Sequence, residues 1–254
     1  VMRGGPHTFF EQNFLRFPQA KTPTLSYGTA MHATVESIYK HFSENGVKPT
    51  VLEAQKYFEV NLEKEHIAKD IFNKYLEKGK NVWKVYLETS TDRIELSHRI
   101  ETDFRMQQVF VEDAQITGKI DKIISDEDAK EWEVYDFKTG EHQMKWTDSS
   151  EEKKVQLYEY KRQLIFYKIL VELSRDYSGY SVNRGYLEFL NPTKQNQIHL
   201  LPYDINTEDA ERLKKLIIAV NKKIRSLDFP DVGQYEKSLK GIINFEEDLI
   251  CEKI

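Results

Sequence analysis

The sequence predicts a mixed α/β (α+β) fold, in which helices flank a central mixed β-sheet. Apolar residues recur at helical spacing in the first third of the chain and again in its second half. Between them, residues 93–138 form short alternating runs of β-branched and aromatic residues. The resulting order of helices, strands, helix, two strands and helix suits one mixed domain.

The domain is expected to span residues 26–254, which is long enough to bury one sizeable core. Residues 1–25 are expected to be an N-terminal extension or a severed linker. The first seven, VMRGGPH, are glycine-rich, and a proline-containing stretch follows them up to Ser26.

The first part of the domain is predicted to be helical. The stretch YGTAMHATVESIYKHF places Met31, Val35, Ile38 and Phe42 at helical spacing, and HIAKDIFNKYL repeats such a pattern. Helical structure is therefore expected up to about Leu87.

The strand region ends in two runs that are predicted to form a hairpin. ITGKIDKII and EWEVYDFKTG flank the acidic turn SDEDAKE. If the turn is centred between Asp128 and Ala129, Asp121 faces Asp136 on the neighbouring strand. Directly opposed side chains have Cβ atoms about 4.5–5.5 Å apart, where like charges are destabilising.

After this hairpin the pattern returns to helices. A strong helix is predicted from Val155 to Leu173, and strands are predicted around the turn at Asn191 and Pro192. A closing helix is predicted over residues 207–227, with a cap at Asn206 or Thr207.

Composition limits the class of protein. The net charge is −5, so no overall basic field draws the chain onto nucleic acid, and such a partner needs a local patch. No apolar run approaches the roughly 20 residues of a membrane span, and the first residues do not have the basic-then-apolar layout of a signal peptide. We expect a cytoplasmic protein without a membrane partner. The single cysteine, Cys251, leaves no cysteine cluster, so oxygen and imidazole ligands must hold any metal.

The facing carboxylates call for a positive partner. Lys138 lies two residues beyond Asp136 and therefore projects from the same face of the strand. Two converging carboxylates also suit Mg²⁺, which prefers oxygen ligands. A lone D-x-K sequence on the solvent-exposed face of a hairpin can also occur without binding a metal. The rest of the chain must therefore decide between a metal site and a solvated surface.

Four motifs together resemble the PD-(D/E)XK nuclease superfamily, and specifically the RecB-like nuclease domains attached to RecB, AddA/AddB and UvrD-type helicases. YGTAMHATVE resembles the G-x-x-x-H motif and GKIDKI the first acidic motif. YDFKTG resembles the D/E-x-K motif and RQLIFYKIL the Q-x-x-x-Y helix. They follow the family's order from Gly28 to Tyr167. The resemblance implies a restriction-endonuclease-like core.

The resemblance also implies a metal site for Mg²⁺ or Mn²⁺. Its ligands would be His32, Asp121, Asp136 and the backbone carbonyl of Phe137. Some relatives carry an iron–sulfur cluster on four cysteines, so no cluster is expected in a chain whose one cysteine is Cys251.

The implied catalytic residues are Asp121, Asp136, Lys138, Gln163 and Tyr167. Lys138 would position the attacking water, while Gln163 and Tyr167 would line the site and touch the DNA backbone. A helical wheel supports an inward-facing Gln163, because it lies opposite Lys161. Gln156 and Tyr160 repeat the motif's spacing one heptad earlier and remain an alternative.

His32 falls on the edge of its helix's apolar stripe, where a structural histidine and a metal ligand are both compatible with the pattern. For DNA contact the sequence offers four basic residues near the proposed site, and an aromatic residue that could stack on unpaired bases. The basic residues are Lys153, Lys154, Lys161 and Arg162, and the aromatic residue is Trp146.

The predicted function is a metal-dependent DNA nuclease, an exonuclease acting on single strands or unwound duplex ends. A helicase domain in cis or in trans would deliver them. Three alternatives remain open at this point: a catalytically silent DNA-binding module of the same fold, a structure-specific endonuclease, and a structural interaction domain with a solvated ion network.

Overall fold

The structure is a computed structural model that describes residues 5–17 and 19–254. Its helices are α1 Gly5–Phe9, α2 Pro23–Asn45, α3 Val51–Glu63, α4 Lys69–Thr89, α5 Glu151–Glu172, α6 Thr207–Ser226 and α7 Leu239–Ile250. Short π-helical and 3₁₀ turns cover Phe10–Phe14 and Thr91–Arg93. Its strands are β1 Arg99–Asp103, β2 Val109–Val111, β3 Ala114–Ile116, β4 Lys119–Asp126, β5 Glu131–Lys138, β6 Ser181–Phe189 and β7 His199–Asp204.

Five strands form one mixed sheet in the order β1-β4-β5-β6-β7. The β5–β6 pair is parallel, and the other neighbours are antiparallel. A parallel pair needs a crossover connection, and α5 lies within the one between β5 and β6. The short strands β2 and β3 form a separate antiparallel ribbon. The mixed α/β fold predicted from the sequence is confirmed.

Helices cover both faces of the sheet. One hydrophobic cluster joins α5, α6 and α7 to Ile123, Val134 and Leu187 of the sheet. The other joins α2, α3 and α4 to Phe137 on the opposite face of β5. Both faces of β5 are thus covered near its end, where its last residues meet helices from the two sides.

The β4–β5 hairpin has the predicted register. Lys122 pairs with Tyr135 and Ile123 pairs with Val134, which confirms a turn centred between Asp128 and Ala129. The Asp126 carboxylate shapes this turn, because its Oδ1 accepts the N–H groups of residues 128 and 129 at 3.0 and 2.9 Å.

The helices differ from the sequence-based expectation in several places. The helix α2 begins at Pro23, before Tyr27, because proline is tolerated in a first turn and the Thr22 hydroxyl accepts the Leu25 N–H at 3.2 Å. The helix α7 was not predicted. Its start is capped by Ser238, which accepts the Gly241 N–H at 3.1 Å. Of the helices described, none combines the length and apolarity needed to cross a membrane.

Gly79 allows α3 and α4 to approach closely. A Cβ atom at this position would lie 2.0 Å from the ring of Phe58, which is fully buried. Alanine gains up to about 1 kcal/mol in helix propensity, but overpacking costs typically 1–3 kcal/mol. A carbon–carbon distance of 2.0 Å is a severe clash, so α3 and α4 would have to move apart. We therefore expect Gly79→Ala to lower the free energy of unfolding by about 1 kcal/mol or more.

Urea unfolding would measure this change, with Gly179→Ala as the control because nothing lies within 4 Å of its Cβ position. Equal stability of the two variants would contradict the close approach.

Candidate metal and catalytic site

Three carboxylates lie in a row across three adjacent strands. The β4–β5 register places Asp121 opposite Asp136. The β1–β4 register pairs Ile100 with Lys122 and Thr102 with Ile120, which places Glu101 opposite Asp121 on the other side. The sheet therefore gathers Glu101, Asp121 and Asp136 at the end of β5, where α2 and α5 approach.

A closed ring of polar contacts holds Asp136 and Lys138. Tyr167 donates its hydroxyl to Asp136 Oδ1 at 2.8 Å, and Gln163 Nε2 donates to the Tyr167 oxygen at 3.0 Å. Lys138 Nζ donates to Gln163 Oε1 at 2.8 Å and lies 2.6 Å from Asp136 Oδ2. Four of the predicted catalytic residues, Asp136, Lys138, Gln163 and Tyr167, are thus in contact with one another. Tyr167 and Gln163 position the acid and the lysine, and their contact with DNA stays a prediction.

The Tyr167 hydroxyl is suited to donating. Burial first, and then the charges of Asp136 and Asp121, raise its pKa well above the usual range. It therefore keeps its proton at all ordinary pH values and fixes the orientation of the Asp136 carboxylate.

The alternative pair, Gln156 and Tyr160, lies next to the same lysine. Gln156 Nε2 donates to the Tyr160 hydroxyl at 2.9 Å, and the Lys138 ammonium lies 4.2 Å from the centre of the Tyr160 ring. A cation over an aromatic face is an attractive arrangement. The pair extends the surroundings of Lys138 and does not replace Gln163 and Tyr167.

Asp121 links the two sides of the site. Its Oδ2 accepts the Phe137 N–H at 2.7 Å, and its Oδ1 lies 3.5 Å from His32 Nδ1. Burial, followed by the charge of Asp136, raises the pKa of Asp121 above its usual range. Phe137 contacts Asp121 through its backbone N–H. The role of its backbone carbonyl as a metal ligand stays a prediction.

His32 reaches this row from α2. Its Nδ1 lies between Asp121 Oδ1 and Glu101 Oε1, which is 3.6 Å away. Burial alone would lower its pKa, but the two carboxylates raise the pKa of His32 to about 10. In the metal-free protein at neutral pH the imidazole is therefore protonated, and it supplies positive charge where a metal would.

Glu101 is a site residue that the sequence analysis missed. Its backbone has φ 53°, in the left-handed region that a non-glycine residue adopts at a cost of order 1–2 kcal/mol. Its carboxylate lies against His32 on one side and Lys119 on the other, with Lys119 Nζ 2.5 Å from Oε2. The strand RIETD carried no signal, because its pairing with β4 cannot be read from local sequence.

The ligand types and spacing fit a divalent cation. Within residues 5–17 and 19–254, His32, Glu101 and Asp121 each offer an atom within 4.8 Å of the others. Two buried carboxylate oxygens of this site make no hydrogen bond. Glu101 Oε1 faces His32 Nδ1 at 3.6 Å, and Asp136 Oδ2 lies against the Lys138 ammonium at 2.6 Å. Buried polar atoms are normally satisfied, so these oxygens suit a metal that prefers oxygen.

A cleft of about 830 Å³ leads to this cluster. Its walls come from the start of α2 and from the sheet. They include Thr22, Thr24, Leu25, Gly28, Thr29, His32, Glu36, Glu101, Lys119 and Thr139. At Gly28 a Cβ atom would lie 3.4 Å from Thr139 Oγ1, which shows how closely α2 approaches the end of β5. Solvent thus reaches His32 and Glu101 through a cleft rich in hydroxyl groups.

Two of the residues predicted to contact DNA are occupied elsewhere. Arg162 is 9% exposed and forms a salt bridge with Glu246 of α7, beside an apolar cavity of about 700 Å³. Trp146 donates its indole N–H to the Pro202 carbonyl at 2.5 Å and packs on Tyr203. The prediction of DNA contact by Arg162 is therefore wrong in this structure, because its side chain is buried in an ion pair with Glu246. Base stacking by Trp146 stays a prediction, since its side chain is only half-buried.

The predicted lysines differ in their surroundings. Lys161 lies over the rings of Trp146 and Tyr203, at 5.6 and 5.4 Å from their centres. Lys154 pairs with Glu151 at 2.6 Å. DNA contact by these lysines and by Lys153 stays a prediction.

Comparison with known proteins gives the same family as the motifs. Residues 5–237 match the family described as the PD-(D/E)XK nuclease superfamily. A search of curated proteins found no significant match. Because the family match covers most of its length, the chain belongs to the PD-(D/E)XK nuclease superfamily.

Proposed function

We propose that this protein is a divalent-metal-dependent deoxyribonuclease of the RecB-like branch, and that it acts as an exonuclease. The observation that carries the proposal is the cluster of His32, Glu101 and Asp121, whose ligand atoms lie within 4.8 Å of one another. Asp136 lies next to this cluster on β5, and the Lys138 ammonium lies 2.6 Å from it. Carboxylates that can hold a metal beside a lysine suit metal-assisted phosphodiester hydrolysis.

The residues divide into metal ligands and their supports. We assign His32, Glu101, Asp121 and Asp136 as ligands, together with the carbonyl of Phe137. When bound, Mg²⁺ or Mn²⁺ would polarise the scissile phosphate and lower the pKa of a water molecule. The imidazole makes Mn²⁺ more acceptable than an all-oxygen site would.

Lys138 is assigned to the water and the phosphate. Its ammonium is held by Asp136, by Gln163 and by the ring of Tyr160, so little rearrangement is needed to present it to the substrate. A preorganised cation of this kind stabilises negative charge that develops during the reaction. Tyr167 keeps the Asp136 carboxylate in place from behind.

The substrate is proposed to be single-stranded DNA or an unwound duplex end, delivered by a helicase domain in cis or in trans. Residues 26–254 would form the nuclease domain. The hydroxyl-lined cleft of about 830 Å³ beside His32 is the proposed path for the phosphodiester backbone. A structure-specific endonuclease would use the same chemistry, and only its products differ.

Two other functions fit the site less well. A silent DNA-binding module has no need for the combination of Asp121, Asp136 and Lys138 in contact. A structural domain would place such charges on a solvated surface, where an ion pair contributes about 0–1 kcal/mol. Here Asp136 is 2% exposed and its ion pair with Lys138 is buried, where removing both charges from water is costly.

The proposal is tested with end-labelled single- and double-stranded DNA in Mg²⁺, Mn²⁺ or EDTA. We expect cleavage in either metal, none in EDTA, and short products from the first time points, as an exonuclease gives. Internal fragments would favour the endonuclease. Binding without cleavage under any metal would leave the silent module.

A further inference from the structure

Lys119 is the first residue of β4 and stands at the mouth of the site. Its ammonium lies 2.5 Å from Glu101 Oε2, while Glu101 Oε1 points towards His32. The lysine side chain is 49% exposed and lines the cleft, so its ammonium has open space to move into. The lysine therefore holds one oxygen of a carboxylate whose other oxygen faces the cluster.

The contact between Lys119 and Glu101 contributes to the charge balance of the carboxylate row. The three carboxylates of the row are accompanied by the ammonium groups of Lys119 and Lys138 and by the imidazole of His32. His32 contacts the row as an expected ligand, and Lys138 is held by the ring around Asp136. Lys119 is neither an expected ligand nor part of that ring, yet it forms an ion pair with Glu101. Its side chain is more exposed than those of His32 and Lys138.

Resting on the proposed function, we propose that Lys119 is a built-in counter-ion that a divalent metal displaces from Glu101. The lysine occupies the carboxylate while the site is free of metal and prevents three acids from repelling one another. A divalent cation at the same carboxylate repels the ammonium, so the two compete. Lys119 thereby weakens metal binding and sets the concentration at which the site fills.

Lys119→Met tests the competition, because it keeps the aliphatic chain and removes the charge. Free Mn²⁺ is followed by electron paramagnetic resonance in a titration at fixed ionic strength. We expect the variant to bind Mn²⁺ roughly tenfold more tightly than the wild type, since the displaced charge is gone. Lys119→Arg should bind like the wild type, and it serves as the folded comparison if the Met variant fails to fold.

Lys222→Met controls for the change of net charge. Lys222 lies near the end of α6 and forms an exposed ion pair with Glu252, so it resembles Lys119 but is not part of the site. It should leave Mn²⁺ affinity unchanged. A second control uses Glu101→Gln, in which Lys119→Met should no longer tighten binding, because the partner of the lysine is already neutral.

Unchanged or weaker Mn²⁺ affinity in Lys119→Met would overturn the inference. The inference would also be overturned if Lys119→Met raised Mn²⁺ affinity by the same factor in the Glu101→Gln background. The effect would then come from the net charge of the protein and not from the contact with Glu101. A wild type that binds no Mn²⁺ would instead refute the proposed function, so the two failures are distinguishable.

Discussion

Replacing Asp136 with Asn is expected to abolish metal-dependent DNA cleavage while the fold remains intact. The amide is similar in size to the carboxylate and can still accept the Tyr167 hydroxyl, which now lies 2.8 Å from Oδ1. The negative oxygen that faces Lys138 and the site is lost. We expect turnover to fall by at least roughly 10²–10³-fold, the scale of removing a preorganised electrostatic group, and Asp121→Asn to behave alike.

The metal-free stability of these variants depends on the neighbours of the acids. Repulsion between two facing carboxylates alone would predict a gain on neutralising one of them. In the structure, however, Lys138 and His32 already compensate Asp136 and Asp121. Neutralising either acid removes a charged partner from Lys138 or from His32, which offsets the relief of repulsion, so we expect no gain in stability.

Cleavage rates in Mn²⁺ and thermal unfolding in EDTA would be measured on the same preparations. Asp126→Asn is the matched control, because its side chain shapes the hairpin turn away from the site. Cleavage at the wild-type rate by both Asp121→Asn and Asp136→Asn would refute the site.

Lys138→Ala is expected to separate metal binding from chemistry. The ammonium contacts Asp136 Oδ2 at 2.6 Å, so its removal frees a carboxylate oxygen. Mn²⁺ affinity should therefore be preserved or become tighter. Turnover should fall by roughly 10²-fold or more, because no group remains to orient the water and stabilise charge on the phosphate.

Mn²⁺ binding and cleavage rate would be compared in one preparation, after circular dichroism has shown that the variant is folded. Lys145→Ala, an exposed lysine in the loop that follows β5, is the control for lost positive charge. A Lys138→Ala protein that cleaves near the wild-type rate would show that Lys138 is only a charge balancing Asp136.

The facing of Asp121 and Asp136 could be predicted because a hairpin is a local structure. Side chains alternate with a period of two, and a short acidic turn fixes which residues are opposite. The Asp126 carboxylate stabilises that turn from within the hairpin. Gln163 could be oriented for a similar reason, since the periodicity of its own helix decides which way it points.

The rest of the site depends on contacts between distant parts of the chain. Glu101 joins the row because β1 pairs with β4, a choice that neither strand encodes alone. Arg162 is removed from the DNA-facing candidates by Glu246, which lies 84 residues later in α7. Trp146 is held by Pro202 of β7, an edge strand whose position follows only from the order of the whole sheet.

The central claim is that the carboxylate row and His32 form a divalent metal site. A crystal soaked in MnCl₂ tests it most directly, through the anomalous scattering of manganese. We predict a strong peak within about 2.0–2.3 Å of oxygens of Asp121 and Asp136 and of the His32 imidazole, and its disappearance in Asp121→Asn crystals. A fully soaked crystal with no peak at this cluster, or with its peak at another site, would contradict the account.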